Sequence, residues 1–291
     1  MRVIVTGARG LIGRRCVARL AAAGAEVHGL SRRATSEPTP ATCHDVDLLD
    51  VDATAATVGR IRATHLLHLA WCTEHGSYWD SASNLDWVTA SVALVRAFLA
   101  AGGRRIVAAG TSAEYQWTGE PCNEDRTPLA PASLYGASKL AFATLLAVLA
   151  ARAGASYAWG RIFFAYGPGE PRQKLLSSCI ERLARSEPIA IRSPERRLDF
   201  VHVDDVAQAF CELVQGDHRG PLNIGTGRAL DVASAIAAIA HILHAAPHFE
   251  RLDATREPDV VADATKIGRA LSWQPLSLEE GLISLVQSVP T

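Results

Sequence analysis

The chain predicts an α/β protein: a doubly wound parallel sheet followed by a smaller, mostly C-terminal lobe. Three observations carry this. Short runs that are apolar throughout alternate with helical stretches. A glycine triplet follows the first run directly. The alternation ends near Tyr166. The apolar runs are Val3–Thr6, Glu26–Leu30, His65–Ala70, Arg105–Gly110 and Tyr157–Phe164. Between them lie helix-like stretches at Leu11–Ala22, Thr54–Arg62, Asn84–Ala101 and Leu134–Ala153. Strands apolar on both faces and separated by helices belong to a parallel sheet covered on both sides. Residues 1–166 are read as this first domain. Gly167-Pro168-Gly169 then breaks the chain, and 167–291 reads as the second lobe, with helices near Leu230–His244 and Leu278–Val286. The segment 199–222 is expected to return to the first domain.

Bulk properties narrow the function. The 291 residues are 48% hydrophobic, enough for one large core or a large domain and a small one. A net charge of −1 offers no basic excess for nucleic acid or an anionic membrane surface. No stretch reads as the roughly 18 apolar residues a membrane span needs, and residues 2–6 are too short for the core of a signal peptide. The six cysteines are scattered and none forms a CxxC pair, so reduced thiols in a cytoplasm are the expectation. His241, His244 and His248 fall at i, i+3 and i+7. Without a carboxylate or thiol at ligand spacing they read as a helix face and its exit, and no metal is expected.

Two motifs carry chemistry. Gly7, Gly10 and Gly13 stand three apart, directly after a strand and at the start of a helix. Without a Cβ the backbone can turn tightly and approach a pyrophosphate, and the helix N-terminus supplies free N–H groups and a favourable dipole. This is the dinucleotide loop of a Rossmann sheet. Tyr135 and Lys139 stand four apart on a helical stretch and share one face. A phenol of pKa near 10 needs help to move protons at neutral pH, and a nearby ammonium favours the phenolate. With five tyrosines and three lysines in the chain, chance expects about 0.05 such pairs.

Together, Gly7/Gly10/Gly13 and Tyr135-x3-Lys139 resemble the extended short-chain dehydrogenases/reductases that act on nucleotide sugars. Further segments match in order: Val46-Asp47-Leu48, His68-Leu69-Ala70, Gly110-Thr111-Ser112-Ala113-Glu114-Tyr115, Arg161 to Gly169, Asp199 to Val206 and Asn223 to Gly227. The resemblance implies Tyr135 as general acid/base. Lys139 would hold the nicotinamide ribose and lower the tyrosine pKa. Ser112 would hold the reacting oxygen, with Thr111 as the alternative. It implies cofactor contacts from Gly7, Arg9, Gly10, Leu11, Ile12, Gly13, Asp47, Leu48, Leu69, Ala70, Tyr135, Lys139 and Phe163, and substrate contacts from Glu114, Phe164, Arg197 and Arg256. Arg196 is the alternative to Arg197.

Departures refine this. Family dehydratases carry an Asp-Glu pair where this chain has Ala113-Glu114, so dehydration is disfavoured. Phe164 stands where many members have Asn, and Leu198 where many have Arg. The second strand ends in Ser31-Arg32-Arg33, with no carboxylate until Glu37. An NAD site places Asp or Glu there; guanidinium groups suit the 2′-phosphate of NADP. NADP(H) is therefore the preferred cofactor and NAD(H) the alternative. The expected reaction is ketoreduction of a nucleotide 4-keto-6-deoxyhexose, against a 4-epimerase with bound NAD. A non-catalytic NADP-binding sensor would not need Ser112, Tyr135 and Lys139 as a set. Leu134–Ala153 is apolar nearly all round and Asn84–Ala101 is also rich in apolar residues, which points to a partner. The resemblance implies a homodimer in which these two helices pair into a four-helix bundle.

Overall fold

The computed structural model describes residues 1–32, 39–74, 76–252 and 257–289. Its elements follow in chain order: β1 (Arg2–Thr6), α1 (Gly13–Ala22), β2 (Glu26–Ser31), β3 (Thr42–Asp45), α2 (Val51–Ile61), β4 (His65–His68), α3 (Ser83–Ala100) and β5 (Arg105–Thr111). A single 3₁₀ turn, Ser112–Glu114, precedes α4 (Leu134–Arg152), β6 (Ser156–Ile162) and β7 (Phe164–Tyr166). Then come α5 (Leu175–Ala184), β8 (Ile189–Ile191), β9 (Arg197–His202), α6 (Val203–Gln215) and β10 (Gly220–Ile224). The chain continues with β11 (Ala229–Asp231), α7 (Val232–Ile242), β12 (Phe249–Arg251), α8 (Thr265–Ala270) and α9 (Leu278–Ser288).

Seven strands form one parallel sheet in the order β10-β6-β5-β4-β1-β2-β3. Alternation along β1 distributes its apolar side chains to both faces. Val3 and Val5 join Val17, Leu20 and Phe210 under α1 and α6, while Ile4 joins Leu66, Phe98 and Phe142 under α2, α3 and α4. The order reverses direction between β1 and β4, which opens a crevice at their carboxyl ends. A third apolar cluster, including Ile180, Ile236, Ile239 and Leu282, sits in the C-terminal half around α5, α7 and α9.

The run expected from Tyr157 to Phe164 is broken at Phe163. β6 stays in the large sheet, and β7 joins β9 and β11 in a three-stranded sheet. Within the segment expected to return, β10 is the seventh strand of the large sheet and α6 packs on α1, but β9 pairs outside it. Contrary to the sequence reading, α4 is long and apolar enough to cross a membrane by length and composition. Its alanine- and leucine-rich sequence passes that test, yet Tyr135, Ser138, Lys139, Phe142 and Leu146 lie buried against the protein's own core.

Two buried polar features fix the carboxyl ends of the central strands. The Glu114 carboxylate is fully buried and accepts from Arg161 Nε at 2.7 Å, Thr111 N at 2.8 Å and Trp159 Nε1 at 3.0 Å. Arg161 Nη1 continues to the Tyr115 hydroxyl, which donates to Asn223 Oδ1 at 2.7 Å. Gly110 makes room: a Cβ there would lie 2.2 Å from Trp159 Nε1 and 2.6 Å from Glu114 Oε1. On β4, His68 is buried between the Thr6 hydroxyl (2.7 Å) and the Ser91 hydroxyl (2.9 Å). Burial, reinforced by the Lys139 ammonium, pulls its pKa down to about 3.

Both features can be tested through stability. Removing one partner of a buried ion pair leaves a charge uncompensated, so Glu114→Gln or Arg161→Met should each lower unfolding free energy by about 3–5 kcal/mol, and the double variant by less than the sum. Urea titrations of the four proteins measure this; additive losses would contradict it. The His68 imidazole is neutral when folded and titrates near 6.5 when unfolded. Protons therefore favour the unfolded chain, and stability is lost as pH falls from about 6.5 towards 3, by an amount on the order of 5 kcal/mol in full. In His68→Gln the loss between pH 6.5 and about 4.5 should be smaller than in wild type. Equal losses would assign the acid limb to other groups.

Candidate active site

The glycine loop is wound against its own backbone. Gly7 has φ +63°, and Gly10 N donates to Gly7 O at 2.8 Å. A Cβ on Gly13 would lie 2.0 Å from Gly7 O, and one on Gly7 would lie 3.0 Å from Ala70 N. Any side chain at Gly13 would force the helix off the loop. Among the described residues, no side chain caps the N-terminus of α1 at Ile12. Leu11 and Ile12, half-buried, therefore present helix-terminal backbone beside the loop. Leu69 and Ala70 lie across it, their N–H groups donating to Thr6 Oγ1. These are the features a pyrophosphate needs, and the residues fit a dinucleotide. Arg14 and Arg15 both donate to Pro168 O at 2.9 Å, so the Tyr166–Gly169 crossover is tied down onto α1.

At the end of β2, Arg9, Ser31, Arg32 and Asp47 line a cleft of about 700 Å³. Asp47 Oδ1 accepts from Leu49 N at 3.1 Å, and Leu48 is buried beneath that turn. Arg33 lies outside the described residues. Phe163 is buried in the core of the C-terminal half, with its N–H on Ile224 O, so its ring packs with the protein.

The two residues expected to handle the proton, Tyr135 and Lys139, sit on the first two turns of α4. Ser133 caps this helix by accepting from Gly136 N. Tyr135 and Lys139 are both buried. Lys139 Nζ donates to Ala109 O at 2.9 Å and stands 4.0 Å from the centre of the Trp71 ring. Burial draws its pKa down to about 7, against the pull of Glu114. The sequence reading expected Lys139 to depress the tyrosine pKa. The structure gives the opposite direction: burial, with Tyr78 adding to it, holds the Tyr135 phenol well above its ordinary value, and a hydrogen bond with Thr111 opposes the shift. Desolvation of the phenolate sets this direction, and the Lys139 ammonium is engaged instead by a carbonyl and a ring.

Of the two hydroxyl candidates, Thr111 interacts with the phenol. Its Oγ1 also accepts from Ala113 N, which starts the 3₁₀ turn. Ser112 is buried one residue on, its carbonyl accepting from Trp117 Nε1 at 2.9 Å. The expected substrate contact from Glu114 gives way to a structural one. Both carboxylate oxygens are occupied by Thr111, Trp159 and Arg161, with no exposed surface.

In the C-terminal half, Phe164 is half-buried on β7, edge to face with Phe200. Arg197 is held by Asp259, Nε to Oδ2 at 2.7 Å, and its side chain is more than half exposed. Arg196 pairs with Glu257 and donates to Pro258 O, and its guanidinium lies over Trp117. Arg256 lies outside the described residues. Sequence reasoning passed over Trp71, Tyr78 and Trp79, whose rings pack on Lys139 and Tyr135, and Trp117, which packs on Trp79. For Trp71, Tyr78 and Trp79 the signal available was their density in the loop after His68-Leu69-Ala70.

Comparison with known proteins agrees with this geometry. Residues 3–225 match the model of the NAD dependent epimerase/dehydratase family. A UDP-glucose 4-epimerase of Streptomyces lividans is 27% identical, over 97% of this chain and 94% of that protein. A dTDP-6-deoxy-L-talose 4-dehydrogenase (NAD(P)(+)) of Kitasatospora kifunensis is 32% identical, over 78% of this chain and 74% of that protein. Among solved structures, the UDP-glucose 4-epimerase of Thermus thermophilus in complex with NAD superposes with a TM-score of 0.84 at 25% identity, covering 99% of both chains. The chain is an enzyme of the NAD dependent epimerase/dehydratase family.

Proposed function

We propose that the protein is an NADPH-dependent reductase of a nucleotide-linked 4-keto-6-deoxyhexose. The observation that carries this reading is the cleft at the end of β2. It gathers Arg9, Ser31 and Arg32 beside Asp47, whose Oδ1 is engaged by Leu49 N, and β2 itself ends without the carboxylate that an NAD site uses. A 2′-phosphate there would gain charge-assisted hydrogen bonds. The state of Tyr135 agrees: a phenol held un-ionised by burial is the acid that a ketone oxygen needs. The Kitasatospora relative is named for oxidation at C4 of a dTDP-linked 6-deoxy sugar, the same bond taken in the other direction.

When bound, the nicotinamide supplies the hydride. Tyr135 gives its proton to the oxygen of the accepting carbon, and Thr111, with Ser112 as the neighbouring alternative, holds that oxygen in line. Lys139 orients the nicotinamide ribose and supports the phenolate left behind. Arg196, Arg197 and Arg256 are the guanidinium groups for the diphosphate, and Phe164 lines the approach.

The second reading is a 4-epimerase with bound NAD, favoured by the similarity to the Streptomyces epimerase along nearly the whole chain. Purified protein distinguishes the two. A reductase is obtained without cofactor and oxidises NADPH when given dTDP-4-keto-6-deoxyglucose. NAD⁺ that survives dialysis, with no NADPH consumption, would favour the epimerase. One charge-assisted bond to the 2′-phosphate predicts a preference for NADPH over NADH of about 10-fold or more in kcat/KM. Arg9→Ala/Arg32→Ala should remove most of it; an unchanged preference would show that the cleft does not select the cofactor.

The same reading includes a homodimer. α4 turns Leu145 (44% exposed) and Val148 (52% exposed) outward, and its neighbour α3 turns out Leu85 (56% exposed). Pairing these helices with a second copy would bury that face in a four-helix bundle. Light scattering should give twice the 31.0 kDa monomer mass, and Leu145→Glu/Val148→Glu should return it to the monomer. A wild-type monomer would contradict the assembly.

A further inference from the structure

The rings around Tyr135 form a ladder that the proton transfer does not require. Tyr78 meets Tyr135 edge to face with 5.0 Å between centroids, and Trp79 meets it at 5.8 Å. Trp79 continues edge to face onto Trp117 at 6.5 Å, and the Arg196 guanidinium lies 5.3 Å from the Trp117 ring. Aromatic surface thus runs without a break from the proton-transfer end of the site to an arginine of the C-terminal half.

The ladder is a built wall. Tyr135 N donates to Trp79 O at 2.8 Å and Leu134 N to Asp80 Oδ1 at 3.3 Å, which staples the 78–80 segment to the start of α4. Asn84 Nδ2 donates to Tyr78 O at 2.7 Å and to Ser81 O at 2.9 Å. Trp117 gives its one N–H to Ser112 O, so a ligand meets its ring face and not a donor. Trp79 remains 38% exposed, which leaves ring surface for a ligand. Trp117 and Phe164 pack on the same apolar cluster, so the far wall is apolar as well.

A hexose with C4 at Tyr135 and its diphosphate at the arginines would lie along these rings. C6 hangs from C5, next to the reacting carbon. A hydroxyl pressed onto a ring face loses water and gains no partner, whereas a methyl group loses nothing and gains contact. We propose that Trp79 and Trp117 determine specificity, selecting a hexose with methyl in place of hydroxymethyl at C6. This rests on the reductase reading above and adds the residues that read the sugar.

The test is calorimetric titration of the NADP⁺-loaded protein with dTDP-6-deoxyglucose against dTDP-glucose, and with the corresponding UDP pair. Wild type should bind the 6-deoxy sugar about 10-fold or more tighter, the lower end of the range for one apolar group in a fitted pocket. Trp79→Gln and Trp117→Gln, which offer polar partners, should bring the ratio within about threefold. Trp79→Phe and Trp117→Phe should preserve it, and NADP⁺ affinity should be unchanged in all four, reporting an intact fold. Equal affinities in wild type, or a ratio that survives both Gln variants, would overturn the proposal. Binding of neither pair would overturn the nucleotide-sugar reading itself, and this inference with it.

Discussion

A carboxylate without water must be surrounded by donors, and Glu114 sets that requirement at the centre of the molecule. Its ion pair with Arg161 spans the carboxyl ends of β5 and β6, two neighbouring strands of the large sheet. Its bond from Thr111 N closes the 3₁₀ turn, and so fixes where Thr111 and Ser112 stand. Through Arg161 and Tyr115 the same network reaches Asn223, at the end of β10. Three strand ends and the turn before α4 are thereby held in one arrangement. Without that network the hydroxyl at Thr111 and the phenol at Tyr135 would have no common reference.

Burial then sets the electrostatics. Lys139, Tyr135 and His68 all lie in the same dry layer, and each is shifted towards its neutral form. Neutral groups in a low-dielectric site respond strongly to a new charge, because little solvent screens it. In the reduction proposed above Tyr135 would start as the un-ionised phenol, the form that burial favours, and would lose its proton only as the ketone oxygen took it. The resting shift and the catalytic need therefore have the same sign. In the oxidative direction the phenolate must form first, against the same desolvation.

Much of this was legible in the sequence, for reasons that differ by residue. β1, β4 and β5 are apolar on both faces, and Gly7, Gly10 and Gly13 mark the turn that the first strand feeds. Tyr135 and Lys139 announce themselves by spacing. β3 was missed because Thr42–Asp45 is a short polar edge strand with one exposed face and no hydrophobic period. α5 was missed because proline and arginine at 171–172 obscure its start, although Leu176, Ile180 and Leu183 keep the helical spacing. Glu114 was read towards substrate because its partners Trp159 and Arg161 are distant in sequence, and only sheet pairing brings them together. The Trp79–Trp117 contact was invisible because the two rings come from separate loops distant in sequence. Arg33 and Arg256 fall outside the described residues, so their assignments rest on the sequence.

The central claim is that Tyr135 moves the proton while other residues hold the cofactor and the substrate. The most direct measurement is the turnover of Tyr135→Phe with NADPH and a nucleotide 4-keto-6-deoxyhexose, alongside its affinity for NADPH. The account predicts that kcat falls by about 10²–10⁴ while the NADPH Kd changes by less than about threefold. A variant that keeps more than about a tenth of wild-type kcat would contradict it.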